Sequence, residues 1–133
     1  MTRYGWTFLL VAYCGLIYYM SDQSRWLVPV PDLFNMQDKV IHAVAYAVMA
    51  LLFWQAGKAW MTHRGRVEWR LLALLCVIFC SLYGMTDEWH QSFVEGRDGS
   101  VFDWMADTLG SLLLTMTLKK WEFTLMSKSN SLT

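Results

Sequence analysis

Between positions 87 and 107 the chain carries six carboxylates, Asp87, Glu88, Glu95, Asp98, Asp103 and Asp107, together with His90, Gln91 and Arg97. Carboxylates combined with a histidine and an arginine can act as general acids or bases, hold a metal ion, or grip a polar headgroup. The stretch lies between two segments apolar enough to cross a bilayer. An Asp, Lys or Arg at the centre of a spanning helix costs about 2.5–3.5 kcal/mol on insertion scales. Polar groups retained in such a place need either a partner or a use.

Some of these acids have local structural work. Ser100-x-x-Asp103 has the form of a capping box with Asp in the usual Glu or Gln place, and Asn35-x-x-Asp38 repeats it. An acid in the first turn of a helix is favoured by the helix dipole, by about 0.3–1 kcal/mol. Gly96-Arg97-Asp98-Gly99 reads as a tight turn, with Asp98 turning the chain. Asp87 and Glu88 have no such explanation. They are adjacent, at the C-terminal end of an apolar segment, where the dipole opposes negative charge. A cation must compensate them. Arg97, able to take a carboxylate bidentately, is the first candidate, ahead of Lys39, protonated His42 or His90, and a bound metal.

A metal held by His42, Glu88 and Asp107 is the less favoured reading, because one well-placed histidine is few and Arg97 competes for the same carboxylates. No cofactor is expected. Ser92 and Ser100 lie near His90 in sequence, but no nucleophile elbow surrounds them. Cys14, Cys76 and Cys80 sit in apolar runs, and their odd count with no CxxC pattern gives neither a disulfide framework nor a zinc ribbon; Cys76 and Cys80 have metal-ligand spacing at i,i+4 but no histidine with them, so they read as buried structural thiols.

These residues must be positioned by helices. Apolar residues make up 56% of the 133-residue chain, above the roughly 45–50% of soluble domains even with glycine counted. Four apolar segments cover roughly residues 6–20, 40–60, 71–89 and 101–118, each near the roughly 17–25 residues of a spanning helix. Bulky residues 18–22 after the first segment give no small-residue cleavage site, so it reads as an uncleaved helix rather than a signal peptide. Tryptophans near the segment ends, among them Trp54, Trp60, Trp69, Trp89, Trp104 and Trp121, have the placing of interfacial belts. A soluble four-helix bundle would need a charged outer face, and none of the four segments has that patterning. A formal net charge of zero argues against nucleic acid as a partner.

Arg3, Lys58, Arg64, Arg66, Arg70, Lys119, Lys120 and Lys128 fall on one side of such a membrane, and Arg25, Lys39 and Arg97 on the other. The richer side should be cytoplasmic, which puts both termini inside. The acids show the reverse bias, with Asp22, Asp32 and Asp38 joining the six on the outer side. Three helix ends meet there. Asp38, His42 and Tyr46 share one stripe of the second helix, beside Lys39; Glu88 and Gln91 share a stripe of the third, flanked by Asp87; Asp103 and Asp107 share one on the fourth. Asp107 lies roughly 9 Å into its span at 1.5 Å per residue, so the bundle interior is its cheaper location. Ala43, Ala45, Ala47 and Ala50 could let helices pack closely or dimerise. The second and fourth helices share a cap and an acid at the third helical position, which suggests that the helix pairs are parallel repeats.

Three blocks together carry a resemblance: Asp38-Lys39-x-x-His42-x-x-x-Tyr46, then Asp87-Glu88-x-x-Gln91-x-Phe93-x-x-x-Arg97, then Asp103-x-x-x-Asp107-x-x-Gly110. Over residues 35–113 the chain resembles the VanZ-like family of small bacterial membrane proteins. Glu95 stands where the family often has proline, and Asp107 where it often has asparagine. The resemblance implies a role in the cell envelope, its founding member being similar to an accessory protein of low-level teicoplanin resistance. The expected fold is all-α, four transmembrane helices with both termini cytoplasmic, in the bacterial cytoplasmic (inner) membrane. One domain should span residues 1–126, followed by a polar, disordered tail at 127–133. Asp38, Lys39, His42, Tyr46, Asp87, Glu88, Gln91, Arg97, Asp103 and Asp107 form the candidate polar site. The leading expectation is binding of a lipid-linked or surface ligand, or of a membrane partner, with Arg97 and Lys39 on an anionic headgroup. An intramembrane enzyme using Glu88, Asp107 and His42 is the alternative, and a proton or ion pathway through Asp107 and His42 the third. Membrane lipids, and a second copy of the chain, are the other expected partners.

Overall fold

Long apolar runs without proline have only one economical way to satisfy their backbone, which is helix. The structure, a computed structural model, describes residues 1–23 and 36–131. Among the described residues it has four helices and no strand: α1 (Arg3–Ser21), α2 (Gln37–His63), α3 (Trp69–Gln91) and α4 (Val101–Asn130). Each apolar segment forms one helix. Arg25 and Asp32, placed on the outer side by the topology, and Asn35, the expected cap of α2, lie outside the described residues.

Two boundaries differ from expectation. Helix α4 continues to Asn130, through Ser127 and Lys128, where a disordered tail was expected. Hydropathy sees only the apolar part of a helix. Lys119, Lys120 and Glu122 are good helix formers, no glycine or proline interrupts them, and Lys128 in the last turn suits the dipole. Helix α2 starts from Met36, in the left-handed region at φ 71°, with no side-chain cap. The two helices therefore do not share their N-cap as the repeat idea supposed: Ser100 does cap α4, accepting from the Asp103 amide at 3.4 Å.

Helices α2 and α3 are long and apolar enough to cross a membrane, with mean hydropathies of 1.6 and 1.7 over their best windows. Phe8, Val44, Leu74, Leu82, Leu109 and Leu113 are exposed, while Asp87, Glu88, Asp103, Asp107, Ser111 and Thr115 are buried. That inversion of the soluble pattern fits a lipid surround and would be costly in water.

Consecutive helices run antiparallel, so α2 and α4 run parallel, and these two share the largest contact. Gly110 makes that closeness possible, since a Cβ there would overlap the backbone carbonyl of Ala43. Ala45 accepts a hydrogen bond from Tyr13 of α1 at 3.0 Å, and Ala50 one from Cys76 of α3 at 3.4 Å. Ala43, Ala45 and Ala50 thus make contacts within the chain. Cys76 and Cys80 are free, buried thiols in the core with Tyr46 and Met49. Trp54 is fully buried against Leu72 and stacked on Trp69, so it belongs to the core rather than to an interfacial belt.

Candidate functional site

The C-terminal ends of α1 and α3 and the N-terminal ends of α2 and α4 meet at one end of the bundle. His42 projects from α2 between α3 and α4. Its Nδ1 lies 3.0 Å from Asp107 Oδ1 and 3.6 Å from Glu88 Oε1. One turn earlier on α2, Lys39 Nζ pairs with Asp103 Oδ1 at 2.6 Å. The side chain of Asp107 is fully buried, and those of Glu88 and Asp103 are 8% and 9% exposed. The three stripes read from the sequence therefore do converge.

Glu88 resolves its awkward place at the end of α3 by reaching across to α4. Its Oε2 accepts from the backbone N–H of Ser100 at 2.7 Å. In a full capping box that amide would be answered by the residue at the third helical position. Here Glu88 answers it, at the favourable positive end of the α4 dipole, and Asp103 is left to hold Lys39. Gly99 permits the approach, because a Cβ on it would overlap the Glu88 carbonyl oxygen. Gly96, at φ 79°, makes the turn that brings the loop back.

Asp87 is also buried but more loosely held. Tyr46 Oη lies 3.5 Å and Gln91 Nε2 3.4 Å from its Oδ2, both at the long end for hydrogen bonds. These three residues, with His42 and Arg97, help line a cavity of about 210 Å³ to which α1 contributes Tyr13, Leu16, Ile17 and Met20.

Arg97 was the expected partner of Asp87 and Glu88. Its Nε donates to the Gln23 carbonyl at 3.0 Å and its Nη2 to the Met20 carbonyl at 3.1 Å. Those carbonyls lie at and just beyond the end of α1, where orphan acceptors and the negative end of the dipole attract a guanidinium. Glu88 finds His42 and a backbone amide in its place.

Asp38 is exposed, in the first turn of α2. His90 Nε2 lies 3.5 Å from Asp22 Oδ1, with its ring on Tyr18. Ser92 donates to the Trp89 carbonyl and Ser100 caps α4, so the geometry pairs neither serine with His90. Ser21 is 4% exposed and lines the cavity beside Asp87. Sequence reasoning missed it; its signal is a hydroxyl closing an apolar run at the same end as the acids.

Two oxygens of the cluster are left over. Glu88 Oε1 and Asp107 Oδ2 are buried and have no hydrogen-bond partner among the described residues.

A family model described as VanZ/LLP1 matches residues 6–122. No curated protein and no solved structure matches the chain.

Proposed function

The chain belongs to the VanZ/LLP1 family, and from that premise we propose that it is a four-span protein of the bacterial cytoplasmic membrane that binds a lipid-linked or surface ligand of the cell envelope. Both termini are cytoplasmic in this reading, and the polar end of the bundle faces out. The distribution of Lys and Arg supports the orientation: Arg3, Arg64, Arg66, Lys119 and Lys120 mark one end, and the acid cluster the other. Cysteine substitutions at His63 and Glu95 test it. A membrane-impermeant thiol reagent added to intact spheroplasts should label position 95 and spare position 63; the reverse labelling would overturn the orientation.

The cavity beside α1 carries the binding reading. Its lining is mostly apolar, with Leu16, Ile17 and Met20 of α1 and Ile41 and Ala45 of α2, and carries His42, Asp87, Gln91 and Arg97 among its polar groups. An amphiphile fits such a lining, its chain along α1 and its headgroup at the polar groups. Arg97 suits an anionic group, while Asp87 and Gln91 suit hydroxyls or amides. Lys39, expected to act beside Arg97, is held by Asp103 and does not line this cavity, whereas Arg97 lines it while donating to the Met20 and Gln23 carbonyls, bonds that a headgroup must share or displace.

Purified protein titrated with vesicles containing phosphatidylglycerol or a polyprenyl diphosphate should bind them more tightly than phosphatidylcholine vesicles. Losing a hydrogen bond to a charged group, about 1.5–3 kcal/mol, should lower affinity at least tenfold in Arg97→Ala. Gln91→Ala, which contacts no α1 carbonyl in this structure, should weaken binding less. If both variants insert normally and bind as the wild type does, the reading is wrong.

A further inference from the structure

We propose that His42, Glu88 and Asp107 are the ligands of a divalent transition-metal ion, with zinc the best chemical fit. Each offers one donor atom, and the three donors lie within 4.8 Å of one another. A tetrahedral ion with ligands at about 2.0–2.2 Å places its donors about 3.3–3.6 Å apart. Of the separations from His42 Nδ1, the 3.6 Å to Glu88 matches that edge, and the 3.0 Å to Asp107, now a hydrogen bond, is a few tenths of an ångström shorter. One imidazole nitrogen and two carboxylate oxygens suit zinc, with manganese or ferrous iron next.

The second observation is the state of the two acids. Their side chains are 8% and 0% exposed, yet Glu88 Oε1 and Asp107 Oδ2 have no hydrogen-bond partner among the described residues. Glu88 Oε1 is itself a donor atom of the cluster, aimed at His42. A buried carboxylate oxygen without a hydrogen bond is costly, and His42 at 3.6 Å from Glu88 Oε1 is beyond that reach. Charge points the same way. Lys39 answers Asp103, which leaves Glu88 and Asp107 facing one imidazole. A protonated imidazole offsets one carboxylate; a divalent ion with a neutral imidazole offsets both.

The surroundings resemble those of a held ligand set. The Ser100 amide fixes the other oxygen of Glu88, as outer hydrogen bonds orient metal-bound carboxylates. Gly84 packs directly on the Asp107 carboxylate, and a Cβ there would lie 2.9 Å from Oδ2. One well-placed histidine is still few for a transition metal, but Arg97, the expected competitor for these carboxylates, donates to the carbonyls of Met20 and Gln23. A neighbouring set, Asp38, His42 and Asp103, is less suited, since Asp38 is exposed and Asp103 is taken by Lys39. Three protein ligands leave a coordination position for water. The site does not depend on whether the cavity takes a lipid.

The test uses untagged protein in detergent, stripped with a chelator and shown by circular dichroism to stay helical. Cobalt(II) should bind stoichiometrically with visible absorption bands, and zinc should displace it. Zinc should also shift the nitrogen-15 signals of one of the three histidines, and that signal should be missing in His42→Ala. Asp107→Asn and Glu88→Gln should each weaken uptake at least tenfold, and Asp98→Asn should leave it unchanged. Should the ligand variants not fold, the wild-type titration and its histidine signals decide alone. Folded wild-type protein that takes up neither cobalt, zinc nor manganese, or whose shifted signals belong to His63 or His90, overturns the proposal and leaves a cluster closed by protons.

Discussion

Helices α2 and α4 run parallel and are tied by charge at both ends, but the two ties differ in kind. At one end Lys58 pairs with Glu122, with side chains 36% and 16% exposed and the Lys58 ammonium over the Trp69 ring at 5.6 Å. At the other, Lys39 pairs with Asp103 and His42 with Asp107, and Asp107 has no exposure at all. The Lys58 end is a matched pair in reach of water, near Arg64 and Arg66 in sequence. The His42 end gathers more acids than cations and hides them. A matched pair is sufficient to hold two helices together. The surplus at the other end is the feature on which the proposed ligand and metal sites rest.

The contrast predicts unequal costs. His42→Ala should be the most damaging change, about 3–5 kcal/mol, because it leaves buried carboxylates without their partner. Unfolding by a denaturing detergent in mixed micelles measures it, and a loss under about 1 kcal/mol would show that the two ends are alike. Gly110→Ala comes next, at about 1–3 kcal/mol, since the added Cβ forces α2 and α4 apart along their shared seam. It should weaken both ends together, so crosslinking between cysteines placed at positions 58 and 122 should fall along with binding at the site. Glu122→Gln should cost least, under about 1 kcal/mol after solvent screening, and its effect should shrink as salt is raised. A large, salt-insensitive loss there would erase the distinction.

How far the sequence discloses this arrangement depends on the range of the interaction. The helices are legible because each is one continuous apolar run. So is the convergence of His42, Glu88, Asp103 and Asp107, since helical spacing puts each on a stripe and alternating direction brings the stripes to one end. The partners inside the cluster are less legible. Glu88 reaches the Ser100 amide only because Gly99 lets the loop close on α3, a backbone approach without a side-chain signature. Arg97 looks like a carboxylate partner in composition, yet the carbonyls that close α1 come nearer. Helix α4 outruns its apolar part because hydropathy does not register a charged helix. Trp54 looks interfacial by position, and only the packing of Leu72 and Trp69 shows that it turns inward.

The bond from Glu88 to the first residue before α4 has a consequence for biogenesis. Chains are made from the N-terminus, and early segments begin to fold before later ones exist. Three helices hold His42 and Glu88, but the amide that answers Glu88 and the acid that faces His42 both arrive with the fourth. Until then the nascent protein carries polar groups without their final partners, a mark by which an incomplete copy differs from a finished one. Completion of the last helix is thus also the step that conceals that mark.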